Sequence, residues 1–127
     1  MVKDGLAQPY ARGFENGEHR FALRVYFEDT DLTGIVYHAN YLRYMERARS
    51  DMLRAAGIDQ RAAHEAGEGA YAVADLAIRY RRPAKLDDAL VVTSRLAVLK
   101  AASCVIQQRV MRADAVLADA DVTVAFL

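Results

Sequence analysis

YFEDTDLTGIVYHANYLRYMERARS, from Tyr26 to Ser50, holds the start of the one convincing helix and the densest group of chemically useful side chains. It opens on the end of an apolar run and passes through a loop carrying Asp29, Asp31 and Gly34. A hydrophobic turn follows at Ile35-Val36-Tyr37, then His38. From about Asn40 to Ala56 the residues Tyr41, Met45, Ala48 and Met52 recur at i, i+4, i+7 and i+11, and Leu42, Leu53 and Ala56 widen the stripe. That period predicts an amphipathic helix, with Asn40 as N-cap candidate and Gly57 as its stop. Arg43, Glu46, Arg47, Arg49, Asp51 and Arg54 read as a solvated face, with Arg47 and Asp51 spaced for an i,i+4 pair.

Outward from this stretch the period changes to two. Before it, Phe21, Leu23, Val25 and Phe27 alternate with Ala22, Arg24 and Tyr26, which predicts a half-buried strand over residues 20–27. Residues 1–18 show no period and read as a flexible lead, leaving residues 19–127 as the domain. Residues 57–69 hold Gly57, Gly67 and Gly69 and room for one helical turn around Gln60 to Ala66, with His64 at the surface. Alternation then persists over Tyr71–Arg81, Leu90–Leu99, Ser103–Met111 and Val116–Leu127. Pro83, Asp87-Asp88, Ala101-Ala102 and Ala113-Asp114 punctuate it. Short connections imply antiparallel neighbours. The order is strand, helix, four strands: an α+β domain in which a single helix covers one face of a five-stranded antiparallel sheet. One helix covers little of such a sheet, so exposed edges favour self-association, at least into a dimer.

A chain of 127 residues with 54% apolar residues builds its own core. Its 17 basic and 17 acidic residues cancel, and no basic tract points to nucleic acid. The single Cys104 excludes an internal disulfide and any multi-cysteine zinc site, and it reads as a buried small hydrophobe. The polar N-terminus is not a signal peptide, and no apolar run reaches membrane-spanning length, so a cytoplasmic protein without membrane insertion is expected.

Asp31 and His38 stand seven residues apart on the loop leading into a helix start. Helix N-termini present unpaired N–H groups and the positive end of the dipole, which stabilise an oxyanion on a carbonyl. A carboxylate beside them attacks a carbonyl or takes a proton from water. A histidine there orients substrate or carries a proton near neutral pH. Gly34 gives the loop backbone positive φ or a close approach to ligand. Asp29 and Asp31 are also types that bond their own backbone in turns, the preferred reading for Asp29.

Three segments resemble the 4-hydroxybenzoyl-CoA thioesterase family of the hotdog fold. RVYFEDTDLTGIVYHANYLRYMERARSDML, Arg24 to Leu53, is similar to the thioesterases associated with the Tol–Pal envelope system, whose pattern is D-x-D-x-x-G-x-V-Y-H, then Y, then E-R-A-R. IRYRRPAKLDDAL, Ile78 to Leu90, and the two downstream strands complete the match over roughly residues 20–127. The resemblance implies a five-stranded antiparallel sheet wrapped around one long central helix, in the order β-α-β-β-β-β. It implies hydrolysis of acyl-CoA thioesters without metal or cofactor. Asp31 takes the place of the catalytic nucleophile or base, His38 that of the histidine at the helix start, and an amide near His38 polarises the carbonyl. The implied site lies at a subunit interface of a homodimer or homotetramer, where the second strand around Val73 and Ala74 lines the acyl pocket from the partner. Tyr37, beside His38, joins Val73 and Ala74 as a substrate-binding candidate. Residues 57–69 match no family pattern and border that pocket. Arg81, Arg82 and Lys85 are candidates to meet the phosphates of coenzyme A.

Three rival readings remain. FEDTDLTG also fits D-x-D-x-T-G, the nucleophile loop of haloacid-dehalogenase-type phosphatases, but four consecutive strands are the wrong layout for that parallel fold. Asp29, Asp31, Thr33 and Gly34 begin like a calcium loop, yet Asn40 stands where the bidentate Glu belongs. A non-catalytic acyl-binding or oligomeric scaffold domain is the alternative to an enzyme.

Overall fold

The computed structural model describes residues 12–126. Six strands form one antiparallel sheet in the order β1-β2-β4-β5-β6-β3, one strand more than the sequence pattern implies. They are β1 (Arg12–Glu15), β2 (Glu18–Arg24), β3 (Tyr71–Tyr80), β4 (Ala89–Leu99), β5 (Ser103–Arg112) and β6 (Ala115–Phe126). The extra strand lies inside the stretch expected as a flexible lead. Asn16 and Gly17, at φ 54° and 77°, turn it back onto β2, with Phe14 opposite His19. Asn-Gly is the residue pair such a two-residue hairpin favours. The remainder of the expected lead, residues 1–11, lies outside the described residues.

Helix α1 spans Asn40–Ala55 and packs mainly on the β1, β2 and β4 side of the sheet. Gly57, at φ 86°, ends it: its N–H bonds the Arg54 carbonyl and the Ile58 N–H bonds that of Leu53. The buried face is Tyr41, Tyr44, Met45 and Ala48, close to the expected stripe, but Leu42 and Ala56 are exposed and Asp51 is buried. Asp51 is therefore not a surface partner for Arg47. Its Oδ2 lies 2.8 Å from Nε2 of His19, itself fully buried on β2, so the pair pins the first hairpin to the helix. A short α2, Gln60–Glu65, forms where one helical turn is expected, with the Asp59 side chain accepting the Ala62 N–H at 2.9 Å. His64 is exposed, as expected. No helix among the described residues is long and apolar enough to cross a membrane.

The core joins α1 to Leu90 and Val92 of β4, Ile106 and Val110 of β5, and Leu117, Ala120 and Val122 of β6. Strand β3 breaks the run of sequence neighbours on both sides: β2 pairs with β4 instead. Strands β3 and β4 do not pair; β3 closes against β6 at the far edge. The expectation that every short connection joins neighbours fails here because the β3–β4 link is held elsewhere. The Ala84 carbonyl accepts the Val36 N–H at 2.8 Å, and its N–H bonds the Tyr41 hydroxyl at 3.0 Å. Ala84 thus fastens the Asp31 loop to the helix start. The Asp87-Asp88 turn is present: the Asp88 side chain accepts the Lys85 N–H and is held by Arg112.

Candidate active site

The loop between Tyr26 and Asn40 is built on Asp29. Its carboxylate accepts the Tyr26 N–H at 2.8 Å, closing the short 3-10 turn Phe27–Asp29. Its carbonyl accepts the Tyr37 N–H and the Asn40 Nδ2, each at 2.9 Å. Asp29 is thus a turn residue. Asn40 is not the N-cap: it is the first residue of α1, and Ala39 occupies the cap without a side-chain bond. The longer amide reaches back across the loop instead of capping its own helix. Tyr44 sits beneath this turn, and burial together with the neighbouring Asp29 charge raises its pKa strongly.

Asp31 occupies the outer part of the loop. An antiparallel bridge between Thr30 and Val36, and the Asp31 N–H bonded to the Ile35 carbonyl at 2.8 Å, close a ring around Gly34 at φ 85°. A side chain at Gly34 is strained by that φ alone. Asp31 Oδ1 accepts the Thr33 hydroxyl at 2.6 Å and the Thr33 N–H at 2.8 Å. These two bonds, the hydroxyl first, hold the carboxyl below its usual pKa. Oδ2 has no hydrogen bond among the described residues and is open to a reactant. Because Thr33 stabilises the charged form, Thr33→Val is expected to raise the Asp31 pKa. If Asp31 works as a carboxylate, the acid limb of a pH–rate profile moves to higher pH in that variant, and a limb that stays put removes Thr33 from the tuning.

His38 is exposed at the mouth of α1, its ring 4.6 Å from that of Tyr37 and edge-on to Tyr80 at 6.0 Å. Its carbonyl accepts the Tyr80 hydroxyl at 2.9 Å, which ties the end of β3 to the helix start. No hydrogen bond joins Asp31 to His38, so the two flank the helix start rather than forming a dyad. Among the described residues the backbone N–H groups of His38 and Ala39 have no backbone acceptor. Thr33 and Tyr80 are the supporting residues that the sequence reading lacked. The Asp-x-Thr turn is a legible signal, whereas the Tyr80 contact spans 42 positions.

Tyr37, half exposed, belongs to this group. Val73 and Ala74 do not: they lie towards the opposite end of β3, seven and six positions from Tyr80, or about 20–23 Å at roughly 3.3 Å per residue. A bulge between Val73 and Asp75 leaves Ala74 out of the ladder, and both side chains are exposed. Of the phosphate candidates, Arg81 is ion-paired to Asp119. Arg82 and Lys85 are exposed beside the loop, with Lys85 bridging Ile35.

An antiparallel sheet packed against one long helix, with an acid loop leading into the helix start, is the hotdog-like thioesterase fold. The model of the thioesterase-like superfamily matches residues 25–127. An acyl-CoA thioesterase YbgC of Haemophilus influenzae is 45% identical over 105 residues, covering 83% of this chain and 77% of that protein. An acyl-CoA thioester hydrolase YbgC of Escherichia coli is 40% identical over 95 residues, covering 75% of this chain and 70% of the other. The crystal structure of a probable thioesterase from Bartonella henselae superposes with a TM-score of 0.82 at 34% identity, covering 87% and 91% of the two chains. The chain belongs to the thioesterase-like superfamily.

Proposed function

We propose that this chain hydrolyses acyl-CoA thioesters to the free acid and coenzyme A, with Asp31 as nucleophile or as general base on water. The observation that carries this reading is the Asp31 carboxylate, held below its usual pKa by Thr33, on the loop that leads into the His38 and Ala39 amides, which have no backbone acceptor among the described residues. A thioester carbonyl directed at those amides has its developing oxyanion stabilised by N–H groups and the helix dipole. Water that loses its proton to Asp31 adds to the carbonyl carbon. The tetrahedral intermediate collapses, the C–S bond breaks, and the thiolate leaves and takes up a proton. His38 and Tyr37 border the approach. Arg82 and Lys85, exposed on the segment that bridges to the loop at Ile35, are placed to meet the phosphates of coenzyme A.

The working unit is at least a dimer. Among the described residues, β3 is an edge strand with one side unpaired. Pairing two copies of β3 antiparallel about a two-fold axis sets the Tyr71 end of one beside the Tyr80 end of the other. Val73 and Ala74 then meet the second copy's helix start, which they do not reach within one chain. Sedimentation is expected to give a mass of at least twice 14.1 kDa. A monomer with full turnover would overturn the shared site. The function itself is tested by release of coenzyme A thiol from short aliphatic, long aliphatic and aromatic acyl-CoAs. Turnover on at least one class is expected, and none on any class would sink the reading.

A further inference from the structure

A groove of about 940 Å³ runs between the C-terminal half of α1, the segment leading into α2, and the ends of β3, β4, β5 and β6. Its walls are mainly apolar, with Met52, Leu53, Ile58, Leu99 and Phe126 among them, and Glu46 and Lys100 are exposed at its border. A volume of this order suits a small organic ligand. The wall also holds a half-buried cation. Arg49 comes from the middle of α1, and its Nη1 donates to Oε1 of Gln108 at 2.9 Å. Gln108 is fully buried and locked, its Nε2 donating to Ser94 Oγ at 2.8 Å and to the Met45 carbonyl at 3.1 Å. That network uses one guanidinium donor and fixes where the others lie. No carboxylate is in ion-pair contact with Arg49 among the described residues, although Glu46 acts on it at longer range.

Desolvating a guanidinium is costly unless its donors find acceptors. Burial lowers the Arg49 pKa, and among the described residues its side-chain hydrogen bond goes to a neutral amide. Tyr71 and Val73 line the groove at the end of β3 that the proposed two-fold pairing brings beside a second copy's helix start. An acyl group whose thioester lies over that start has this apolar channel ahead of it. We propose that Arg49, in the wall of this groove, is a specificity-determining residue that selects acyl groups with a carboxylate at the far end. This inference rests on the thioesterase reading above and names its substrate class.

The test compares two thioesters of equal length, octanoyl-CoA and octanedioyl-CoA, which differ only in a terminal methyl against a carboxylate. Wild-type protein is expected to favour octanedioyl-CoA by about tenfold or more in kcat/KM, the usual worth of a hydrogen bond to a charged group. Arg49→Met should collapse that ratio, and Arg49→Lys should keep part of it. Wild type that handles octanoyl-CoA as well or better overturns the inference, a result that needs no variant to fold. So does a preference that survives in Arg49→Met. Dissociation of the Arg49→Met oligomer with no wild-type preference identifies an inter-subunit ion pair, and also overturns it. Hydrolysis of neither thioester nor any other acyl-CoA removes the thioesterase reading, a separate outcome from hydrolysis without selectivity.

Discussion

Asp31→Asn is expected to lower kcat/KM for acyl-CoA hydrolysis by about a thousandfold, the scale at which a positioned nucleophile or general base acts. Asparagine is close to isosteric, and its side-chain oxygen still accepts both Thr33 bonds. The ring closed by the Thr30–Val36 bridge and the bond from the Asp31 N–H to the Ile35 carbonyl keeps its backbone contacts. The amide lacks the charge and the open oxygen that attacks carbon or accepts a proton. Thiol release by wild type and variant side by side, with thermal melts of both, reads the effect. Loss of turnover with an unchanged melt assigns the chemistry to Asp31. Undiminished turnover refutes that assignment and leaves Asp31 as a turn residue like Asp29.

Leu90→Ala is expected to destabilise the fold by about 3 kcal/mol, within the range for deleting a fully buried leucine side chain. For a domain of this size that corresponds to roughly 10 °C in melting midpoint. Leu90 is fully buried on β4, opposite Leu23 of β2 in the ladder, in the core against which α1 packs. A cavity there opens between flanking strands that are held by their own ladders and close over it only in part. Leu99 on the same strand, 74% exposed, is the control: its truncation is expected to leave the melt nearly unchanged. Equal shifts for the two would show that burial on β4 does not set the stability of this sheet.

The helix and the strands from Tyr71 onward were legible because their apolar periods differ and persist over ten residues or more. The Asp-Gly loop was legible because its residue types have few other uses. Strand β1 was missed because four residues at a sheet edge, including Gly13, give no alternation to read, although the Asn16-Gly17 pair signalled its turn. Asp51 looked like a surface acid because helical spacing says nothing about His19, 32 positions away. Arg49 looked like one more solvated charge for the same reason: Gln108 lies 59 positions off.

By itself the sequence determined the α+β class, the helix, most strands, the turn residues and which loop carries the acid. These follow from local period and backbone chemistry, which act over a few residues. Only the tertiary structure decided that β3 leaves its sequence neighbours for the far edge, that Ala84 fastens the acid loop, and that Val73 lies a strand's length from His38. It also decided that Asp51 and Arg49 leave the solvated face. Each of these depends on contacts between segments far apart in the chain, where several pairings satisfy the same local pattern and packing selects among them.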